Sequence, residues 1–155
     1  MPRRIHKIQG INLGTASSYT RYGKKEDSLL VTLPQESILS GKFTSNKLKA
    51  APVKLAIENL SNAKKAKKVL LINAGNANAA TGPKGLKDVR KYCKEIALDF
   101  KISEENVIPF STGVIGEPLA IKNYLSAFRE ASKGLTENKW KKAAEAILTT
   151  DTKPK

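Results

Sequence analysis

Apolar and polar positions along this chain follow two periods, and the switches between them mark out its elements. Ser28-Leu29-Leu30-Val31-Thr32-Leu33 is a β-like run closed by Pro34, which cannot donate to a strand ladder. Pro52 suits the start of a short helix carrying Leu55, Ile57 and Leu60. Residues 68–73 contain a continuous apolar core and read as a buried strand, bounded by a Gly/Asn/Ala-rich stretch. Over residues 83–100 the spacing turns helical, with Leu86, Val89, Cys93, Ala97 and Phe100 on one face. Residues 106–110 predict another short strand. Pro118 suits the first turn of the next helix, which points Ile121, Leu125 and Phe128 inward and ends at Gly134. Thr136 is placed to cap a last helix, with Leu135 and Trp140 as a hydrophobic staple and Ala143, Ala144 and Ile147 along its apolar side. Strands and helices alternate before the chain closes on two helices, which predicts an α/β or α+β layered fold. The linkers are short and no repeat is visible, so residues 1–155 are expected to form a single domain.

Composition narrows the function classes. Apolar residues make up 40 % of the 155 residues, enough for a core, and the single cysteine, Cys93, excludes an internal disulfide and a multi-cysteine metal site. On the apolar helix face Cys93 is expected to pack rather than react. No run is long enough to cross a bilayer, and no apolar signal region follows the basic start. A soluble, cytoplasmic protein without membrane association is the expectation. The net charge of +14 invites a nucleic-acid reading. The lysines are widely spread, however, with one cluster at Lys64, Lys65, Lys67 and Lys68; aromatics are only 6 %, and no nucleic-acid-binding module is present. A solvated lysine-rich surface is the simpler account, and an acidic substrate or partner chain would also suit it.

Three polar segments remain as candidate chemistry. Asn73-Ala74-Gly75-Asn76-Ala77-Asn78-Ala79-Ala80-Thr81-Gly82 matches neither a phosphate-binding loop nor a dinucleotide fingerprint; small residues and Asn side chains suit a tight turn. Ser111-Thr112-Gly113-Val114-Ile115-Gly116-Glu117-Pro118 passes from a predicted strand to a predicted helix. Backbone N–H groups in such a crossing can point at an anion, Gly113 removes an obstructing side chain, and the Thr112 hydroxyl can add a donor. The same residues also suit a plain turn. Thr149-Thr150-Asp151-Thr152-Lys153-Pro154-Lys155 crowds three hydroxyls and a carboxylate at the end of the last helix, to bind a small polar substrate or to cap the helix end and begin a strand. The only histidine, His6, lies in the basic leader, which argues against a Ser-His-Asp or Cys-His site. Glu130 and Glu137 have no accompanying motif. The residues by themselves support an α/β protein with a candidate oxyanion loop and go no further.

In register, several stretches resemble the ornithine acetyltransferase (bifunctional glutamate N-acetyltransferase) family. They are Gly10-Ile11-Asn12-Leu13-Gly14 with the strand after it, Gly41-Lys42-Phe43-Thr44-Ser45-Asn46 with Ala50-Ala51-Pro52-Val53, and Leu71-Ile72 running into the 73–82 segment and Gly85-Leu86. Ser111-Thr112-Gly113-Val114-Ile115-Gly116 and Ala144-Glu145-Ala146-Ile147-Leu148-Thr149-Thr150-Asp151-Thr152 complete the set. The resemblance implies acetyl transfer from N-acetylornithine to glutamate in arginine biosynthesis, some members also using acetyl-coenzyme A, with no cofactor. It implies a precursor that cuts itself ahead of a threonine into α and β chains, usually an α2β2 heterotetramer, with the freed threonine as nucleophile. The implied fold is a mixed sheet flanked by helices and completed by the β chain. The family's oxyanion pair falls on Thr112 and Gly113, and a substrate-binding threonine falls in the Thr149-Thr150 pair, with Thr149 favoured. The 73–82 stretch resembles a signature that shapes the site. The nucleophile and its preceding lysine- and glycine-rich segment are not among these residues, so the chain is expected to be an incomplete α chain. A catalytically inactive basic binding module and a related self-cleaving amide hydrolase are the alternatives.

Overall fold

The computed structural model describes residues 5–151 and 153. Residues Met1 to Arg4 of the basic leader, and Thr152, Pro154 and Lys155, lie outside the described residues. In chain order the elements are β1 (Asn12–Ala16), β2 (Ser28–Leu33), α1 (Ala51–Asn62), β3 (Lys68–Asn76), α2 (Gly82–Phe100), β4 (Val107–Val114), α3 (Ile121–Lys133) and α4 (Trp140–Ala146), with one 3-10 turn at Glu104–Asn106.

The strands form one mixed sheet in the order β1-β2-β3-β4. β2 pairs antiparallel with both β1 and β3, whereas β4 runs parallel to β3. A parallel neighbour needs a crossover, and α2 supplies it. Helices α1, α2 and α3 cover one face of the sheet, where Leu30, Val69 and Leu71 meet Leu55, Val89, Ile96 and Phe128. Burial of each such side chain contributes about 1.5–3 kcal/mol. The rings of Tyr92 and Phe128 join α2 to α3 with centroids 5.6 Å apart. The opposite face carries a smaller cluster in which Leu13, Leu29, Val31 and Leu33 pack under Trp140 and Ala143 of α4. Every residue of β2 is therefore buried. Over β3 and β4 this second face is more open: Leu70 and Ile72 are half-buried and Phe110 is 43 % exposed.

Most predicted elements are present, with informative differences. β1 is an added strand, short and glycine-containing, which pairs with β2 through a hairpin. β3 and β4 both run further than their apolar cores: β3 continues to Asn76 and β4 to Val114. Pairing between their small residues sustains the ladder where hydrophobicity has ended. Pro118 lies before α3 rather than in its first turn, since the helix begins at Ile121. Thr136 does not cap α4. It exchanges backbone hydrogen bonds with Leu13, 3.1 Å and 2.9 Å, and the helix begins only at Trp140. Cys93 is fully buried in the α2 face, where burial pushes its thiol well above the usual range. The lysine cluster is not uniformly solvated: Lys68 is buried, and its Nζ donates to the Ala66 carbonyl at 2.8 Å.

Candidate functional site

The C-terminal ends of β3 and β4 carry the polar segments singled out above. Asn73 faces Ser111 in the register, Ala74 faces Thr112, Gly75 faces Gly113 and Asn76 faces Val114. Thr112 and Gly113 therefore lie within a strand, not in the turn that the sequence suggested. Both facing glycines leave ordinary strand conformation, with φ of +101° at Gly75 and +135° at Gly113. A Cβ on Gly113 would come within 2.7 Å of the Gly75 Cα and 2.5 Å of the Asn76 nitrogen, and closer still to the Gly75 carbonyl carbon. Only glycine fits there, for reasons of torsion and of space. The result is a strand end made of bare backbone. Gly113 is exposed and Thr112 half-buried, so the segment is open to solvent rather than sealed in the core. Strand alternation puts Phe110 and Thr112 on the open second face and Ser111 toward the helices.

A buried polar lattice holds this end of the sheet. The Ser111 hydroxyl donates to Asn73 Oδ1 at 2.6 Å, and Asn73 Nδ2 donates to the Asn76 carbonyl at 2.7 Å. Asn76 Nδ2 donates to the carbonyls of Glu117 and Pro118 at 3.2 and 3.1 Å, tying β3 to the loop after β4, while Asn76 Oδ1 accepts from the Asn78 N–H at 2.7 Å. Asn78 Nδ2 donates to the Gly85 carbonyl at 3.0 Å. Asparagines therefore do the work of backbone hydrogen bonds, as the 73–82 composition suggested.

A second polar chain was not visible in sequence because its members are far apart. Buried Asp27 accepts from the Ser18 N–H at 2.7 Å and from the Ser18 hydroxyl at 2.6 Å. Thr20 Oγ1 lies 2.7 Å from the Ser18 hydroxyl and 3.3 Å from the Tyr124 hydroxyl, which donates to the Ala74 carbonyl at 3.0 Å. Burial raises the Tyr124 phenol above its usual range. Tyr124 and Thr20 also line a cleft of about 390 Å³ with Arg21, Asn76 and Glu117. The Arg21 guanidinium donates to Glu117 at 2.6 Å across it, and this bond holds the guanidinium above its usual value. Both partners are exposed, so the pair adds little stability.

Thr149 and Thr150 follow α4. Lys25 Nζ, on the β1–β2 hairpin, donates to the neighbouring Leu148 carbonyl at 2.9 Å. Because β1, β3 and β4 run in one direction, this hairpin and the Thr112–Gly113 step share one end of the sheet. The strands between them span roughly 10–15 Å. Thr149 is half-buried and Thr150 exposed. His6 is exposed and far in sequence from these groups. Among the described residues no group of three or more His, Cys, Asp or Glu could hold a metal ion, and no helix is long and apolar enough to cross a membrane.

These features define a layered α/β domain with a glycine-containing strand end at the C-terminal edge of a parallel pair. The chain belongs to the ArgJ family, whose model matches residues 12–155. It is 43 % identical over 152 residues to an arginine biosynthesis bifunctional protein ArgJ of Methylococcus capsulatus, covering 98 % of this chain and 36 % of that protein. A protein of the same name from Colwellia psychrerythraea is 38 % identical over 164 residues, covering 100 % of this chain and 39 % of that one. The chain thus spans little more than a third of these curated relatives. Among solved structures it is similar to an ornithine acetyltransferase complexed with ornithine from Mycobacterium tuberculosis, with a TM-score of 0.85, 26 % identity and coverage of 93 % of this chain and 78 % of that one. An arginine biosynthesis bifunctional protein ArgJ from Bacillus halodurans gives a TM-score of 0.76 at 30 % identity, covering 93 % and 74 %.

Proposed function

We propose that this chain is the oxyanion-holding part of the α chain of an acetyltransferase. The complete enzyme moves acetyl from N2-acetyl-L-ornithine to L-glutamate, giving L-ornithine and N-acetyl-L-glutamate for arginine biosynthesis in the cytoplasm. The observation that carries this reading is Gly113, exposed and facing buried Gly75, which leaves bare backbone at the end of β4 beside the Thr112 hydroxyl. Family membership and the similarity to a structure named as an ornithine acetyltransferase support it.

The nucleophile is a threonine at the start of a β chain cut from the same precursor, and the two chains assemble as α2β2. Its hydroxyl oxygen attacks the acetyl carbonyl carbon while its proton passes to the adjacent terminal amine. The carbonyl oxygen becomes an oxyanion, which the Gly113 backbone and the Thr112 hydroxyl receive. Collapse breaks the C–N bond, and the ornithine amine leaves with the proton. The glutamate amine then attacks the acetyl-enzyme carbonyl, giving a second tetrahedral oxyanion held by the same donors; the amine's proton passes to the terminal amine and on to the threonine oxygen, whose bond to the acetyl carbon breaks to release N-acetylglutamate. Thr149 or Thr150 holds substrate at the same end of the sheet, with Thr149 the better placed because it is half-buried. No cofactor enters this scheme; acetyl-coenzyme A enters only as another acetyl donor. The open face over β3 and β4, with Phe110 exposed, is where the β chain packs.

The test is Thr112→Val in the full-length protein, which removes a donor and keeps the shape. We expect kcat for acetyl transfer to fall about 10²–10³-fold. Turnover like the wild type's would refute the role of Thr112. Transfer of acetyl to water but not to glutamate would move the protein to the amide hydrolases of similar self-cleaving design.

A further inference from the structure

We propose that Asn73 and Ser111 are positioning residues for the oxyanion site, acting through the backbone of Thr112 and Gly113. The inference rests on the acetyl-transfer reading above and names what holds its site in place. Asn73 is fully buried and is the last β3 residue before the small-residue step that leads into Gly75. Its Oδ1 accepts from Ser111 directly across the ladder at 2.6 Å, and its Nδ2 donates to the Asn76 carbonyl at 2.7 Å. One amide thus ties β3 to itself across Gly75 and to β4 at Ser111, two residues before Gly113.

The clamp is needed because glycines at φ of +101° and +135° have no side chains to anchor them and sample more conformations than any other residue. The ladder to β3 holds this step from one side only. β4 is an edge strand, and beyond Pro109 none of its residues is fully buried. The Tyr92 hydroxyl is buried on the helix side near Ser111. Next to Thr112, the Ser111 hydroxyl supplies a side-chain tie from β4 to β3 through Asn73. Losing it frees the step by a fraction of an ångström, and a misplacement near 1 Å costs about 10²-fold in rate.

The test uses the full-length protein, with wild type, Ser111→Ala, Ser111→Thr and Asn73→Asp assayed for acetyl transfer. Val89→Ala, in the core of α2 away from the site, serves as a stability control. We expect Ser111→Ala and Asn73→Asp to lower kcat by about tenfold to a hundredfold with KM little changed. Ser111→Thr, which keeps the hydroxyl, should restore most of kcat. Val89→Ala should lower the melting temperature while leaving kcat within about twofold. A Ser111→Ala enzyme with wild-type kcat, or a Val89→Ala enzyme destabilised to the same degree whose kcat falls as far, overturns the positioning role. A wild-type protein without acetyl transfer overturns the functional reading and this inference with it, so the two failures are distinct.

Discussion

Replacing each of the facing glycines by alanine separates torsional strain from steric obstruction. Both residues occupy left-handed backbone regions, so alanine costs about 1–3 kcal/mol at either one from torsion alone. The surroundings differ. At Gly75 the new Cβ would meet the Tyr22 ring edge at 3.1 Å and the Arg21 Cβ at 3.3 Å, both on the β1–β2 hairpin and free to yield by tenths of an ångström. At Gly113 it would meet backbone of the paired strand, the Asn76 nitrogen at 2.5 Å and the Gly75 Cα at 2.7 Å. Backbone held in a ladder cannot rotate away, so the strands must part. Overpacking of this kind adds roughly 1–3 kcal/mol. Gly113→Ala should therefore be less stable than Gly75→Ala by about 2 kcal/mol. For a domain of this size that corresponds to melting points some 4–8 °C apart. Thermal denaturation of the two variants in otherwise identical protein measures it. Equal melting points, or a lower one for Gly75→Ala, would show that the ladder between β3 and β4 does not constrain Gly113.

Two further outcomes follow from burial and charge. Cys93 is fully buried and its thiol is pushed up by desolvation, so a thiol reagent at neutral pH should leave the native protein unlabelled and label it stoichiometrically in denaturant; labelling of the native protein would contradict the packing of α2. The Gly10 N–H and Lys7 hold the Glu137 carboxyl below the usual carboxylate range. A carboxyl depressed in the folded state contributes stability above its unfolded pKa and loses it as pH falls through the folded value. The urea midpoint of the wild type should exceed that of Glu137→Gln at pH 6, and the gap should close on going to pH 3; a gap independent of pH would refute the contact.

Hydrophobic periodicity made the layered scaffold readable. The β2 run ending at Pro34, the α2 face through Val89 and Cys93, and the helix reaching Gly134 all have strong local patterns. Legibility failed where pairing partners, not composition, decide the structure. β1 holds together because Leu13, Gly14 and Thr15 pair with β2. Thr136 became a bridge to Leu13 because tertiary pairing outweighed local capping. The hydroxyl chain from Asp27 through Ser18 and Thr20 to Tyr124 spans more than 100 residues of sequence, and no local pattern reveals it.

The candidate site was legible in a different way. Its residues stood out as Asn, Gly, Ala and Thr without a catalytic histidine or carboxylate pair. Such a composition looks like an ordinary turn because its chemistry lies in the backbone, and side chains enter mainly to hold that backbone. Extension of β3 and β4 through these residues sharpens the point. A turn can adjust to its ligand, whereas a ladder fixes each peptide against its neighbour, and a fixed dipole reorganises little when charge develops on a substrate. The two strands are parallel, and the polar residues gather at their shared C-terminal ends, where α/β sheets characteristically bind ligands because the following loops diverge. Under the proposed acetyl-transfer reading, the glycine pair meets two constraints: a strand rigid enough to aim its amides, and at exposed Gly113 a surface bare enough for a reacting carbonyl to come against it.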